Sequence, residues 1–183
     1  LRLKTLVSQY LYKNVLAVGG IKKPELIIQL LKLLAFQMGN EVSYRELATQ
    51  LKTSQQTVER YIDLFEKNFV ILRLPPFAKN LRNEVARSKK IYFVDLGIRN
   101  ALIDAFAPID PLLRSDVGGL FESCMIVERA KHVAHNGQAP VARYFWRTFT
   151  QQEIDYIEER GGQIAAYEFK WKPREYPRFL TKW

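Results

Sequence analysis

The 183-residue chain contains a single cysteine, Cys124, and therefore cannot form an internal disulfide, which fits the reducing cytoplasm. Long hydrophobic runs are also absent. The most apolar stretch, residues 26–38, is interrupted by Gln29, Lys32 and Gln37, and it falls short of the ~20 residues needed to cross a bilayer. No succession of basic, apolar and small residues at the N-terminus indicates a signal peptide. These features predict a soluble, cytoplasmic protein that has no membrane partner.

The sequence also lacks a phosphate-binding P-loop. The pattern GxxxxGK[ST] does not occur, and the segment Gly19-Gly-Ile-Lys-Lys is too short and wrongly spaced to replace it. The chain is therefore not expected to bind ATP through a Walker A loop, and ATP would bind only through a domain absent from this chain.

Histidines are scarce too: His132 and His135 have no third ligand nearby, which argues against a zinc site.

The excess of positive over negative charge is confined to the first half of the chain. Residues 1–90 carry 16 Lys and Arg against 7 Asp and Glu, whereas residues 91–183 carry 12 of each. A basic surface attracts polyanions and accelerates their capture, so nucleic acid, and DNA in particular, is the expected partner. The alternatives are a solubilising surface and a face that docks an acidic protein.

The first half has the apolar spacing of helices followed by a strand. Pro24 suits the first turn of a helix, and Gly39-Asn40 suits a helix end. The segments Ser43 to Glu46 and Thr53 to Gln56 both have the pattern of a capping box, which marks a helix start. The predicted helices are 2–13, 24–38, 44–51 and 54–68, and the predicted strand is 69–74.

This order of elements is typical of a winged helix-turn-helix, predicted here as a domain over residues 1–76. In such a domain the helix over 54–68 would lie in the major groove. Its outward-facing Gln55, Gln56 and Arg60 could contact bases or phosphates, whereas acidic residues on the same helix would repel a phosphate backbone. Domains of this kind also serve as protein-docking modules or lids, because a fold does not fix a function.

The second half, predicted as a domain over residues 77–183, mixes strands and helices, so the whole chain is expected to be α+β. Lys90–Leu96 has the composition of a buried strand, and Gly97 leads into a helix. The predicted helices are 98–106 and 118–132, and the later predicted strands are 141–148, 152–159 and 163–170.

The last two strands have a predictable register. Gly161 and Gly162 suit a two-residue hairpin turn because both positions can take positive φ. If they form the turn, Arg160 pairs with Gln163 and Asp155 lies opposite Glu168, with Lys170 on the same face. The other face then carries an apolar set, which a one-residue slip would scramble. That set comprises Ile154, Tyr156, Ala165, Tyr167 and Phe169.

Two opposed carboxylates destabilise a sheet unless something offsets their repulsion. A shared Mg²⁺ ion, a shared proton, or neutralisation by Lys170 would each do so. An exposed face of ordinary ion pairs that includes Glu153 and Lys170 is the remaining alternative. The residues alone leave these possibilities open.

Asp155, followed by Glu168-Phe-Lys170 on the next strand, resembles the PD-(D/E)xK signature of restriction-endonuclease-like nucleases. A wider set of motifs, together with the preceding helix-turn-helix segment, resembles the C-terminal region of a large family of prokaryotic AAA-type ATPases. The resemblance covers nearly the whole chain. The motifs are Ile91-Tyr-Phe-Val-Asp95-Leu-Gly97, Arg114-Ser-Asp116, Gly119-Leu-Phe-Glu122, Trp146-Arg147, Glu153-Ile-Asp155 and Glu168-Phe-Lys170.

The resemblance implies a restriction-endonuclease-like α/β module with a mixed sheet. Its site would consist of Asp155, Glu168 and Lys170, with a helix carboxylate as a further ligand of Mg²⁺. The motif position indicates Glu122, whereas a helical wheel favours Glu128, which it places among Leu120, Phe121, Cys124 and Met125.

The implied protein is the C-terminal fragment of an AAA-type ATPase that binds DNA and cleaves phosphodiesters. Asp155, Glu168 and Glu122 would hold the metal, and Lys170 would orient the attacking water or stabilise charge. Arg147 is a candidate phosphate contact, and a structural ion pair is an equally good role for it. The alternative is a non-catalytic module that docks DNA or protein and regulates the ATPase domain. An oligomer is compatible with either function.

Overall fold

The computed structural model describes residues 2–10, 24–77, 89–136, 141–148, 150 and 152–172. The helices are α1 (Arg2–Tyr10), α2 (Pro24–Phe36), α3 (Tyr44–Gln50), α4 (Gln55–Lys67), α5 (Leu96–Leu102) and α6 (Val117–His135). The strands are β1 (Glu41–Val42), β2 (Ile71–Leu74), β3 (Lys89–Phe93), β4 (Ala142–Arg147), β5 (Glu153–Arg160) and β6 (Gln163–Tyr167). The predicted α+β class is confirmed.

Hydroxyl caps begin the two central helices of the first half. The Ser43 hydroxyl accepts a hydrogen bond from the Glu46 N–H (3.3 Å), so the predicted start of α3 is confirmed. Helix α4 starts differently, because its cap is Ser54 and not Thr53. Ser54 has extended backbone angles, and its hydroxyl accepts from the Thr57 N–H at 3.1 Å. The N-cap is the residue whose hydroxyl accepts from a first-turn N–H that has no partner within the helix. The observed N-cap of α4 therefore lies one residue after the predicted one.

The first sheet has the order β1-β3-β2 with antiparallel pairing throughout. Leu72 lies opposite Tyr92, and Val42 lies opposite Lys89. Strand β3 therefore pairs with two strands that precede residue 76, although the sequence analysis places β3 in the second predicted domain. The domain boundary between 76 and 77 stays a prediction, but β3 links the two sides of it.

The second sheet has the order β4-β5-β6 and is also antiparallel. The mixed sheet predicted for the second half is therefore wrong for the described strands, where parallel pairing is limited to an isolated bridge between Pro76 and Phe145. The connections explain the difference. β5 and β6 are joined by a two-residue turn and β4 and β5 by residues 148–152, and such short links fit antiparallel neighbours.

One hydrophobic core runs through both halves of the molecule. It includes Leu30 of α2, Phe65 of α4, Phe93 of β3, Phe145 of β4 and Tyr156 of β5, all fully buried. The main chain continues the link, because the Phe145 N–H donates to the Pro75 carbonyl at 3.0 Å. Among the described helices, none is both long and apolar enough to cross a membrane.

Asp116, at the start of α6, is held by two arginines. Arg114 Nε donates to its Oδ1 at 2.7 Å, and Arg99 Nη1 donates to its Oδ2 at 2.5 Å. The buried Arg99 also reaches the Ala35 carbonyl at the end of α2 (3.1 Å). The hydrogen bond from Arg114 and the contacts of Arg99 lower the pKa of Asp116 from 3.8 to about 2, against the opposing effect of burial.

This lowered pKa predicts a pH-dependent contribution to stability. Since the folded pKa lies below the unfolded one, the contribution is present above about pH 4 and is lost as the pH falls through about 2. With about a third of the side chain exposed, we expect about 1–2 kcal/mol. Urea unfolding of wild type and Asp116→Asn should show the difference shrinking between about pH 5 and about pH 2.5. An equal difference at both pH values would contradict the assignment.

Candidate functional site

The hairpin at the end of the second sheet has the predicted register. Gly161 and Gly162 have φ of 56° and 80°, and Arg160 pairs with Gln163. The ladder continues to Tyr156 opposite Tyr167 and stops one pair short of Asp155 and Glu168. The register is therefore confirmed over five pairs, and the expected acidic pair lies just past the end of β6.

Asp155, Glu168 and Lys170 come together where β6 ends. The Phe169 N–H donates to Asp155 Oδ2 at 2.8 Å, and Lys170 Nζ lies 3.5 Å from the same oxygen. Lys170 also forms an ion pair with Glu168. Asp155 is only 3% exposed, so this is not an ordinary solvated face. The opposite face is less uniform than predicted, because Ile154 and Tyr156 are buried whereas Ala165 is exposed.

A second lysine, which sequence reasoning missed, lies on the other side of the acidic residues. Lys90 of β3 is 3% exposed and makes an ion pair with Glu153. Its Nζ lies 3.5 Å from Glu122 Oε1 and 5.6 Å from the centre of the Phe145 ring. Tyr92, two residues along the same strand, donates its hydroxyl to Glu122 Oε1 at 2.7 Å. The signal available in the sequence was a lysine at the start of a strand that is otherwise apolar.

Both lysines are held in the charged form. Burial alone would lower the pKa of Lys90, but the charges of Glu122 and Glu153 outweigh it and raise that pKa. Burial opposes the charged form of Lys170 as well, yet its hydrogen bond to Glu168 and the charge of Asp155 raise its pKa. The site is therefore an acidic cluster, formed by the carboxylates of Glu122, Glu153, Asp155 and Glu168. The ammonium groups of Lys90 and Lys170 neutralise it from two sides.

Two carboxylates of the cluster have raised pKa values, which disfavour their charged form. Burial raises the pKa of Glu122, and the neighbouring Asp155 and Glu153 add to the effect, despite the counteracting Lys90 and Tyr92. Burial also raises the pKa of Glu168, whose Oε2 has no hydrogen-bond partner among the described residues. Negative charge in this cluster is thus costly, and the amines are needed to hold it.

The two candidate helix glutamates have different environments. Glu122 contacts Lys90 and Tyr92 and so belongs to the cluster. Glu128 is exposed on the outer surface of α6 and pairs with Lys131 at 2.7 Å. Arg147 lies 3.5 Å from Glu41 and 3.8 Å from Glu153 in ion pairs, and its contact with phosphate stays a prediction.

The candidate DNA contacts lie on a different part of the molecule. Gln55, Gln56 and Arg60 are all exposed on α4, and the Arg60 guanidinium lies 5.3 Å from the centre of the Tyr61 ring. The side of α4 opposite Gln56 and Arg60 is buried, whereas Gln55 is exposed because it lies in the first turn. The buried residues are Val58, Tyr61, Ile62 and Phe65.

The arrangement of acidic residues does not fit a divalent metal. Within the described part of the chain, no three His, Cys, Asp or Glu side chains converge as metal ligands. Mg²⁺ requires several oxygen ligands in near-octahedral geometry. Here, by contrast, Lys90 is in contact with Glu122 and Glu153, and Lys170 is in contact with Asp155 and Glu168.

Comparison with protein families identifies the two parts of the chain separately. A model described as a domain of unknown function (DUF8612) matches residues 1–108, which is more than half of the sequence. The chain belongs to the DUF8612 family. A second model, also described as a domain of unknown function (DUF4143), matches residues 117–182. Domains of that second family are common in proteins associated with AAA-type ATPases.

Similar curated proteins are considerably longer than this chain. The uncharacterized protein Rv2008c of Mycobacterium tuberculosis is 30% identical over 138 residues, which cover 75% of this chain and 30% of that protein. The uncharacterized protein MJ1637 of Methanocaldococcus jannaschii is 29% identical over 103 residues, or 55% of this chain and 22% of that protein. The chain thus spans less than a third of the length of these relatives.

Among solved structures, MepR of S. aureus bound to ethidium bromide is similar at a TM-score of 0.34 and 17% identity. The likeness covers 74% of this chain and 89% of that one. A TM-score this low supports no conclusion about fold or function.

Proposed function

We propose that this chain is a DNA-binding, non-catalytic module of a longer AAA-type ATPase. The observation that carries the proposal is the exposed polar face of α4, formed by Gln55, Gln56 and Arg60. Glutamine and arginine side chains hydrogen-bond base edges and phosphates, and a helix is the element that fits the major groove.

The elements around α4 support its role as a reading helix. The order α2-β1-α3-α4-β2-β3, with the sheet β1-β3-β2 beside it, is the arrangement we propose as a winged helix-turn-helix. Helix α3 and α4 are joined by a tight turn over residues 51–54, which brings the cap of α4 close to the end of α3. The apolar side of α4 is held by the core, so its polar side is available to a ligand.

Local charges favour a polyanion at this surface. Arg73 lies 2.8 Å from Asp63 and 2.5 Å from Glu66, so two of the acidic side chains of α4 are already neutralised within the protein. Glu59 is the exposed carboxylate that still opposes a phosphate backbone. The excess of basic residues in positions 1–90 acts in the same direction.

The proposed catalytic inactivity rests on the lysines in the acidic cluster. A metal-dependent nuclease needs free carboxylate oxygens for its cation, and here ammonium groups contact those carboxylates. We therefore propose the second half as a scaffold that positions the DNA-binding half. The ATPase domain is the proposed partner, supplied by the part of the full-length protein that this chain does not span.

The test combines DNA binding with cleavage. In fluorescence anisotropy, the wild-type chain should bind a labelled duplex, and its affinity should fall by about tenfold or more between about 50 and about 200 mM NaCl. Plasmid and single-stranded DNA should remain uncut in Mg²⁺ or Mn²⁺ by wild type and Lys170→Ala alike. Cleavage that Lys170→Ala abolishes would establish a nuclease, and failure to bind DNA at low salt would leave only protein docking.

A further inference from the structure

We propose that Cys124 is a modification site, at which the disulfide form of a small amino-acid thiol binds in a cleft beside α6 and exchanges with the Cys124 thiol. The product is a mixed disulfide between Cys124 and one half of the ligand. The inference does not depend on DNA binding by α4 or on the acidic cluster.

The α6 cleft lies between α6 and residues 93–97, where β3 ends and α5 begins, and its volume is about 320 Å³. Its apolar lining consists of Phe93, Val94, Leu96 and Val127. Small-molecule pockets begin at about this size, and they combine mostly apolar walls with a few polar groups that fix the ligand's orientation. The α6 cleft has such walls.

Ser123 is the buried polar group of the α6 cleft that needs a ligand. Its side chain is 0% exposed, and its Oγ has no hydrogen-bond partner among the residues that the structure describes. Leaving a buried hydroxyl without a partner costs stability, so such groups are normally hydrogen-bonded. A polar group of a bound ligand supplies the partner that Ser123 lacks.

Cys124 supplies the reactive group of the α6 cleft. It follows Ser123 on α6 and lines the same space. It is also exposed, so a ligand held in the cleft can reach its sulfur. A cysteine thiolate attacks a disulfide sulfur directly, and this reaction needs no second catalytic group. The chemistry that fits this position is thiol–disulfide exchange.

The rim of the α6 cleft carries both signs of charge, which favours a zwitterionic ligand. Lys131 and Glu128 line it as an exposed ion pair at 2.7 Å, and so weak a pair can exchange partners with a ligand. On the other wall, Asp95 Oδ1 accepts from the N–H groups of Gly97 (2.6 Å) and Ile98 (3.2 Å), which fixes that carboxylate in place. The ligand's carboxylate pairs with Lys131, and its ammonium pairs with Asp95 or Glu128.

The exchange is balanced without a further oxidant. The Cys124 thiol loses its proton to solvent, and the thiolate attacks one sulfur of the ligand disulfide. A new S–S bond joins Cys124 to one half of the ligand, and the ligand's own S–S bond breaks. The other half leaves as a thiolate and takes up a proton, so this half is reduced while the Cys124 sulfur is oxidised.

The experiment measures the rate of adduct formation on the intact chain by mass spectrometry. The probes are cystine, which is zwitterionic, and 2-hydroxyethyl disulfide, which has no charge. Each reacts with folded chain and with chain unfolded in urea, at about pH 8, where a cysteine thiol is partly ionised. The ratio of the folded to the unfolded rate constant removes differences in intrinsic reactivity between the two probes.

Three variants test the residues of the α6 cleft. Lys131→Met removes the proposed partner of the ligand carboxylate, and Ser123→Ala removes the buried hydroxyl. Lys67→Met is the matched control, because Lys67 is an exposed lysine in the last turn of α4.

We expect the folded-to-unfolded ratio of wild type to be about tenfold or more higher for cystine than for 2-hydroxyethyl disulfide. Lys131→Met and Ser123→Ala should each slow the reaction of folded chain with cystine about threefold, whereas Lys67→Met should not change it. The proposal is overturned if the ratio is no higher for cystine than for the uncharged disulfide. It is also overturned if Lys131→Met or Ser123→Ala reacts with cystine as fast as Lys67→Met does.

Discussion

Replacing both Gln56 and Arg60 with alanine is expected to weaken DNA binding by about 30-fold or more, because each side chain that contacts a base or phosphate contributes about 1–3 kcal/mol. Both side chains are exposed on α4, on the side opposite its buried residues. Their removal leaves the core unchanged, so the unfolding transition should be preserved. Fluorescence anisotropy against the same duplex measures the loss.

The matched control is the pair Gln29→Ala and Lys32→Ala on α2, where both side chains are also exposed. It removes one amide and one positive charge from another helix, as the α4 variant does, although the charge is an ammonium and not a guanidinium. Equal losses from both double variants would mean that only overall charge matters, and α4 would lose its role as the reading helix. Glu59→Gln provides a gain-of-function check, since removing the exposed opposing carboxylate should strengthen binding about twofold to fivefold.

Substituting Arg129 with methionine is expected to lower the free energy of unfolding by about 3 kcal/mol. Arg129 Nε and Nη2 each donate to Glu158 at 2.9 Å, and Nη2 also donates to the Tyr167 hydroxyl at 2.8 Å. The guanidinium lies 4.8 Å from the centre of the Tyr167 ring. Because Glu158 is 5% exposed, methionine at position 129 leaves a buried carboxylate without its bidentate partner. Urea unfolding measures the change.

The matched control is Lys131→Met on the same helix. Lys131 and Glu128 are both exposed, so their ion pair should contribute less than about 1 kcal/mol to the free energy of unfolding. Adding Glu158→Leu to Arg129→Met should recover part of the lost stability, because the buried charge is then removed. A loss that is the same for Arg129→Met and Lys131→Met would show that Glu158 is not the source of the effect.

The features predicted correctly from the sequence depend on neighbours in the chain. The starts and periods of α2 and α3 follow from Pro24, the Ser43 cap and the apolar spacing. The hairpin register follows from two consecutive glycines with positive φ. In each case the chemistry that decides the structure lies within one turn of helix or one hairpin, and the residues involved can be recognised without tertiary contacts.

The features that the sequence did not reveal depend on distant contacts. In the sequence, Lys90 has the position of a polar residue at the end of a strand. Its partners Glu122 and Glu153 lie 32 and 63 positions further along the chain. The helical wheel that favoured Glu128 placed Cys124 and Met125 on the buried side of α6, yet both are exposed. The buried side includes Leu120, Ser123, Val127 and Ala130, and which side faces inward was decided by packing against the sheets.

The origin of the charges around Lys90 limits how the two matched segments of this chain can be recombined with other proteins. The ammonium comes from the segment that matches DUF8612, and Glu122 and Glu153 come from the segment that matches DUF4143. A chimera that joins the DUF4143 segment to an unrelated helical partner would inherit the carboxylates without their lysine. Such a hybrid would have to supply a new cation at the junction, or replace Glu122 and Glu153 by uncharged residues, to avoid leaving buried carboxylates without a partner.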